Sequence, residues 1–487
     1  MADLPLPGQE LTPGDLAAAI PASVHALLHR SWDAGHAAYV VGGSLRDLLM
    51  GGGAHDWDLA TSARPEQTAA LFPGAIYENR FGTVAVPADG LPEPVQITTF
   101  RTDHDYADFR RPHRIEFGDS IDLDLARRDF TINAMAWGAT PTAPGAPEPL
   151  DSSTAPDRST PARTPQLPGL VDPFGGQADL ATRTLRAVGD PRRRFEEDAL
   201  RMIRAVRFAA TLDVGIEAAT LAGIQARAEL VRHLSGERIA IELSKLLAAP
   251  RPSVGLRLMS DTGLLAPISP DLAAQRGVPQ NKVPDEDLWG HTLRTVDAAP
   301  ADPPHLRLAA LLHDIGKPAT FADGRFLRHE VVGTELAGGF LDRLRWPHAD
   351  RDRIVHLVRM HMFGYEPSWS DTAVRRFIAK VGVEALDDLF ALREADNVGS
   401  GREAAAGRLD EVRARVAAQL EAHVVLDLRG LAVDGDDLMQ ELELAPGPQL
   451  GRILDALLDR VISDPTTNRR STLLTLARSL AATESAT

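Results

Sequence analysis

The spacing of apolar and polar positions along this chain changes character near residue 186. Ahead of it the pattern is strand-like. Tyr39-Val40-Val41 is a continuous apolar run that stops at Gly42-Gly43, as expected of a buried strand feeding a helix. Val95 to Phe100 alternates and ends at Arg101, predicting a second strand. In Asp56-Trp57-Asp58, a strand would turn both carboxylates to one face and Trp57 to the other. Beyond 186 the period becomes helical. Leu200, Ile203 and Val206 form one apolar stripe, Leu308, Leu311 and Leu312 another, and Leu442, Leu444, Leu450, Ile453, Leu454, Leu457 and Leu458 a third. Residues 139–169 are crowded with Pro, Thr, Ala and Ser and lack any apolar period, which predicts a disordered insertion between two strands. Residues 1–15 read as a loose tail. The expected organisation is an α/β unit over 16–185 and then helical segments at 186–265, 285–425 and 426–487.

Composition narrows the chemistry. The 487 residues include no cysteine, so disulfides and thiolate-bound zinc are excluded and any metal must sit on His, Asp, Glu or water. Leu- and Ala-rich runs are interrupted by charge well short of the roughly 20 residues a membrane span needs. The start of the chain has no basic segment leading into an apolar core, so a cytoplasmic enzyme with no membrane partner is expected. The net charge of −16 is unfavourable for nucleic-acid binding as a whole. The arginines, however, gather at Arg110, Arg111 and Arg114, at Arg127 and Arg128, at Arg183, Arg186, Arg192, Arg193 and Arg194, and at Arg201, Arg204 and Arg207. Local basic surfaces on an acidic body suit one shaped RNA better than polyanions in general.

Gly42-Gly43 at the start of a helix allows backbone N–H groups to approach a triphosphate, with the helix dipole favouring its charge. Asp56 and Asp58 supply hard oxygen ligands for Mg2+ close by. Together they suggest two-metal nucleotidyl transfer, in which one ion activates an attacking hydroxyl and another holds the leaving pyrophosphate.

Seven segments in order between about 37 and 250 carry a resemblance: GGSLRDLL, DWDLAT, TTFR, RRDFTINAMA, VDPFGG, RAVGDPRRRFEEDALRMIRAVRF and ERIAIELSKLL. On these the chain resembles the bacterial CCA-adding enzymes and their relatives the bacterial poly(A) polymerases, class II members of the polymerase-beta nucleotidyltransferase superfamily. The resemblance implies an α/β head with a small mixed sheet, followed by an all-α neck, body and tail. It implies Mg2+ on Asp56 and Asp58, the incoming nucleotide on Gly43 and Arg46, its phosphates on Arg128, and Asp129 near the ribose. Glu197, Asp198 and Arg201 would read the Watson–Crick edge of CTP or ATP, supported by Arg204 and Arg207. A carboxylate and a guanidinium can pair with cytosine or adenine, whereas a carbonyl in place of the exocyclic amine meets the carboxylate with the wrong polarity. Spacing sets Glu197 and Arg201 at i,i+4 on one helix, where a surface salt bridge is the ordinary alternative.

One position departs from the family pattern: Gln96 stands where related sequences commonly place an acid. The expectation is that two aspartates suffice, the alternatives being assistance from Glu116 or another acid, or a reduced activity. Asp105 to Pro112 resembles the flexible loop used in switching from C to A addition. Downstream, His291, His313-Asp314-Ile315-Gly316-Lys317 and Asp396 resemble an HD domain. That resemblance implies a phosphohydrolase site with a divalent transition metal on His291, His313, Asp314 and Asp396, extended by His329 and His361. The function implied is addition of CCA to the 3' end of tRNA from CTP and ATP. The alternatives are a poly(A) polymerase, an enzyme adding only C or only A, and an HD phosphohydrolase acting on RNA ends or cyclic nucleotides.

Overall fold

In the computed structural model of this protein, residues 13–54, 56–79, 82–106, 112–141, 168–280 and 282–484 are described. Most of the expected loop at 105–112, the tail before residue 13 and residues 142–167 of the expected insertion lie outside them. The chain divides into two units, one running to Leu246 and including Val254–Ile268, the other made of Leu247–Ser253 and everything from Ser269 onward.

Nine of the strands among the described residues of the first unit are β1 (Ala38–Val41), β2 (Asp58–Thr61), β3 (Ile76–Asn79), β4 (Thr83–Val86), β5 (Val95–Thr99), β6 (Arg101–Tyr106), β7 (Pro112–Phe117), β8 (Ala136–Ala139) and β9 (Gly169–Val171). Seven of them form one mixed sheet in the order β3-β4-β5-β2-β1-β8-β9, and β6 and β7 pair as a separate ribbon. Only β2 and β5 run parallel within the large sheet. The stretch 139–169 therefore connects β8 to β9, two antiparallel neighbours.

The apolar run of β1 is continuous because the strand is covered on both faces. Ala38 and Val40 pack with Leu59, Ile97, Trp57 and Trp137 on one side. Tyr39 and Val41 pack with Ala60, Phe100 and Leu125 on the other. Trp57 is 4% exposed and points to the first of these cores. Asp58 opens β2, while Asp56 sits in the bend just before it, one residue short of the strand. In register Asp58 lies beside Val41 on one neighbour and beside Gln96 on the other. The position where an acid was expected thus flanks Asp58 directly, and it holds an amide. Glu116 lies in the β6–β7 ribbon and is exposed.

The expectation of one helix through Glu197 and Arg201 is corrected. A first helix, Pro191–Glu197, ends at Asp198, whose φ of −149° and ψ of 108° are extended, and a second begins at Leu200 and runs to Leu212. Asp198 is the reason for the break: its carboxylate accepts the Leu200 N–H at 3.0 Å, competing with continuation of the helix. Leu200, Ile203 and Val206 are buried on the second helix, as the stripe predicts.

The second unit is helical. Helices Leu288–Ala298, His305–Leu312, His329–Arg343, His348–Met360 and Leu386–Gly399 bury Leu308, Leu311 and Leu312 at the centre. Helices Gly435–Leu442, Pro448–Ser463 and Arg470–Glu484 form their own apolar cluster around Leu450, Ile453, Leu457 and Leu473. The third apolar stripe is consequently two helices, interrupted where Glu443 takes a left-handed φ of 53°.

Candidate active site and metal centre

The loop leaving β1 must be glycine at its first position. Gly42 has a φ of +76°, and a Cβ there would meet Arg128 Nη1 at 3.3 Å and Asp58 Oδ2 at 3.4 Å. This close approach brings the start of helix Gly43–Leu49, the aspartates and Arg128 to one cavity of about 460 Å³. Gly43, Arg46, Asp56, Asp58, Arg128, Asp129, Arg204 and Arg207 all line it. Glu197, Asp198 and Arg201 do not line the cavity; they are joined to it through hydrogen bonds. Arg201 donates to Glu197 Oε2 at 2.6 Å and to the Arg127 carbonyl at 2.9 Å, one residue from Arg128. Glu197 also accepts from Arg194 at 2.9 Å.

The cationic walls are held by carboxylates behind them. Asp124, 1% exposed, accepts from Arg127 at 2.7 Å and pairs with Arg128 at 3.3 Å, which keeps Arg128 turned toward Asp58. Arg46 donates to Asn133 Oδ1 at 2.8 Å and to Asp47, with its guanidinium over the Phe208 ring. Arg204 pairs with Asp129 at 2.7 Å, and Arg207 pairs with the buried Glu242 at 2.5 Å. Burial pushes the Asp58 carboxyl above its ordinary pKa and Asp56 adds to this, while Arg128 opposes it. Asp129 goes the other way: burial raises it, but Arg204, Arg201 and Asn133 outweigh that and hold it at about 2. Two carboxylates, Asp56 and Asp58, lining one cavity with a cationic cradle offer hard oxygen atoms that fit divalent ions with a triphosphate.

Sequence reasoning missed the polar face of helix Gly236–Leu247. Arg238 donates to Asp198 at 2.7 Å, Glu242 holds Arg207 and lies 3.6 Å from Arg204, and Lys245 lines the cavity. Lys245 has no ion-pair partner among the described residues. The three fall at spacings of four and three, a single helical face within the segment ERIAIELSKLL, so the signal was present as periodicity. Asn133 was likewise visible only as part of RRDFTINAMA.

In the second unit, His291, His313, Asp314 and Asp396 are brought together. His291 Nε2 lies 3.3 Å from Asp314 Oδ2, 3.3 Å from Asp396 Oδ1 and 3.2 Å from His313 Nε2. His313 sits at the C-terminus of helix His305–Leu312 with Nδ1 on the Ala310 carbonyl at 2.7 Å, which leaves Nε2 as the donor atom for a ligand. Lys317 donates to Asp314 at 2.6 Å and Lys282 to Asp396 at 3.4 Å. Burial raises both carboxyls, but the imidazoles and ammonium groups around them hold each well below the carboxylate range. His329 and His361 lie alongside, as the extended ligand set expects. Imidazole nitrogens with carboxylate oxygens fit a divalent transition metal.

Comparison with known proteins identifies the family of the chain. The family model described as "Poly A polymerase head domain" matches residues 38–186, "Probable RNA and SrmB- binding site of polymerase A" matches 213–276, and "HD domain" matches 286–416. A CCA-adding enzyme of Streptococcus suis is 31% identical over 458 residues, 93% of this chain and 95% of that protein. One of Levilactobacillus brevis is 34% identical over 442 residues, 91% of this chain and 93% of that protein. The crystal structure of the Bacillus stearothermophilus CCA-adding enzyme in complex with CTP superposes with a TM-score of 0.66 at 26% identity, covering 95% of this chain and 98% of that one. No helix among the described residues is long and apolar enough to cross a membrane. With the head, RNA-binding and HD models matched in order between residues 38 and 416, and relatives above 30% identity covering more than nine-tenths of the chain, this protein belongs to the CCA-adding enzyme family of nucleotidyltransferases.

Proposed function

We propose that this protein adds the CCA sequence to the 3' end of tRNA, in the cytoplasm, from CTP and ATP and without a nucleic-acid template. The observation that carries the reading is the single cavity onto which Gly43, Asp56, Asp58, Arg128, Arg204 and Arg207 open, tied by Arg201 to Glu197 at the helix break. Asp56 and Asp58 would hold Mg2+, which would supply Lewis-acid activation of the tRNA hydroxyl and charge neutralisation at the pyrophosphate. The chain's own groups do the rest. Backbone N–H groups at Gly43, with Arg46 and Arg128, orient the triphosphate for in-line attack on its α-phosphorus. Asp129, ionised and locked to Arg204, is placed for the ribose. Glu197, Asp198 and Arg201 are the proposed readers of the base beside the cavity, with Arg201 held on Glu197 and Asp198 on Arg238, which favours selection by hydrogen-bond polarity. The helical neck selects the base, and the body and tail measure the tRNA acceptor arm by shape and phosphate contacts. The proposed parts are a head at 16–185, a neck at 186–265, an HD body at 285–425 and a tail at 426–487.

A second activity is supported by the convergence of His291, His313, Asp314 and Asp396: hydrolysis of phosphate esters at RNA ends or in cyclic nucleotides with a divalent transition metal. The test is incorporation of labelled CTP, ATP or both on tRNA transcripts ending before CCA, after C and after CC. Two C residues followed by one A, then arrest, is the expected result. Repeated A addition identifies a poly(A) polymerase, and use of one nucleotide only identifies a split-function enzyme. Asp56→Ala with Asp58→Ala is expected to abolish incorporation and leave HD hydrolysis intact. Loss of both, or of neither, overturns the assignment.

A further inference from the structure

We infer that Lys245 is the cation that holds the β- and γ-phosphates of the incoming nucleotide, and with them the departing pyrophosphate. This rests on the reading of the head cavity as the nucleotide site and deepens it. The charges around the cavity divide into two ends. At one end stand Asp56 and Asp58 with Arg128, and Arg128 already has the buried Asp124 as its counterion at 3.3 Å. Three carboxylates against one guanidinium make this end negative, suited to cations and the reacting α-phosphorus they bind. At the other end three guanidinium groups gather on one ring. Arg207 lies 3.9 Å from the centre of the Phe208 ring, Arg204 5.2 Å and Arg46 5.3 Å. Each has a carboxylate of its own: Glu242 for Arg207 at 2.5 Å, Asp129 for Arg204 at 2.7 Å and Asp47 for Arg46 at 2.7 Å. Three positive charges thus meet three negative ones.

Lys245 is the charge left over. It lines the same cavity, follows Glu242 by three residues on helix Gly236–Leu247, and has no ion-pair partner among the described residues. Residues three apart on a helix are neighbours, so Lys245 stands beside the carboxylate that holds Arg207. The excess positive charge at the guanidinium end is therefore this one ammonium group. The terminal phosphate is the most highly charged part of a nucleoside triphosphate, so the favourable orientation puts the α-phosphorus by the aspartates and the far end by Lys245. The guanidinium groups are fixed by their carboxylates, whereas an exposed ammonium on a four-carbon stem can follow pyrophosphate as it departs. A lysine in the last turn of a helix is also favoured by the helix dipole, but that role is indifferent to nucleotide.

The experiment compares the full-length wild type with Lys245→Ala and Lys245→Arg. Isothermal titration with CTP, CMP and pyrophosphate in Mg2+ is combined with steady-state incorporation on tRNA transcripts ending before CCA and after CC. Lys245→Ala should weaken CTP and pyrophosphate about tenfold or more, the worth of one charged hydrogen bond, and leave CMP, which lacks both distal phosphates, unchanged. KM should rise by the same factor for CTP and ATP, because the triphosphate is common to both, while KM for tRNA stays constant. Lys245→Arg keeps the charge and should recover most of the loss. Equal losses for CMP and CTP overturn the assignment. So does a raised KM for tRNA with CTP binding intact, which moves Lys245 to a phosphodiester of the tRNA, and so does no change at all, which leaves a charge serving only the helix end. A wild type that binds CTP and pyrophosphate but incorporates neither nucleotide overturns the CCA reading, and the titrations still decide Lys245. A wild type that binds none of the three overturns both.

Discussion

Arg207 and Glu242 form the most enclosed ion pair at the nucleotide cavity, with side chains 10% and 4% exposed and 2.5 Å between them. Replacing Glu242 by Leu leaves the Arg207 guanidinium buried without its counterion. Unit charges about 4 Å apart attract by about 4 kcal/mol at an effective dielectric of roughly 20, and breaking one side of a buried pair costs about 3–5 kcal/mol. At about 1.4 kcal/mol per tenfold, that is a loss of roughly two to three and a half powers of ten in the folded-to-unfolded ratio. Burial lowers the Arg207 pKa, with Glu242 opposing the shift. Arg207→Met removes the nearer partner of Glu242 but leaves it Arg204 at 3.6 Å, so this single variant should cost less. The double variant removes both charges and should return to within about 2 kcal/mol of the wild type, since apolar replacement of a buried pair is often neutral. Arg204 remains held by Asp129 throughout. Urea unfolding of the four proteins gives the coupling energy, and nucleotide incorporation is measured on the same samples. The double variant should be folded yet lose roughly 10–100-fold in kcat/KM, the worth of one charged hydrogen bond to phosphate. A double variant as unstable as the sum of the singles refutes the pairing argument. One with full incorporation refutes a role for Arg207 at the nucleotide.

Lys245→Ala should raise the nucleotide KM about tenfold or more without loss of stability, because this cation lines the cavity and is exposed; steady-state incorporation with thermal unfolding as control checks this. Arg128→Ala removes the charge that opposes the rise in the Asp58 pKa, so protons compete with metal at higher pH and the acid limb of Mn2+ binding should move upward, measured without nucleotide. Gly316→Ala places a methyl group against the backbone of His329 and Gly333, which should cost about 1–3 kcal/mol and reduce metal content at the HD pocket while CCA incorporation persists.

The strand–glycine–helix unit and the aspartate pair were legible in the sequence because they are local. An apolar run covered on both faces, a left-handed glycine and a two-residue period each fix their geometry within a few residues. Trp57 is buried and Asp58 opens β2, while Asp56 is exposed in the bend before the strand and so lies outside that period. The HD cluster was legible through its paired His-Asp, and the fold class through the change from strand-like to helical periodicity. The extended conformation of Asp198 was not legible, since i,i+4 spacing reads as one helix whether or not a side chain captures the next N–H. Nor were Glu242 and Lys245, whose meaning depends on a helix from another part of the chain laying its polar face along Arg204 and Arg207. Whether Gln96 mattered likewise required the register of β5 against β2, which pairs it with Asp58. Sequence determined which chemical groups are available and their local periodicity; only tertiary structure decided which distant groups face one another, because pairing energies between buried charges depend on distance and desolvation that spacing along the chain does not encode.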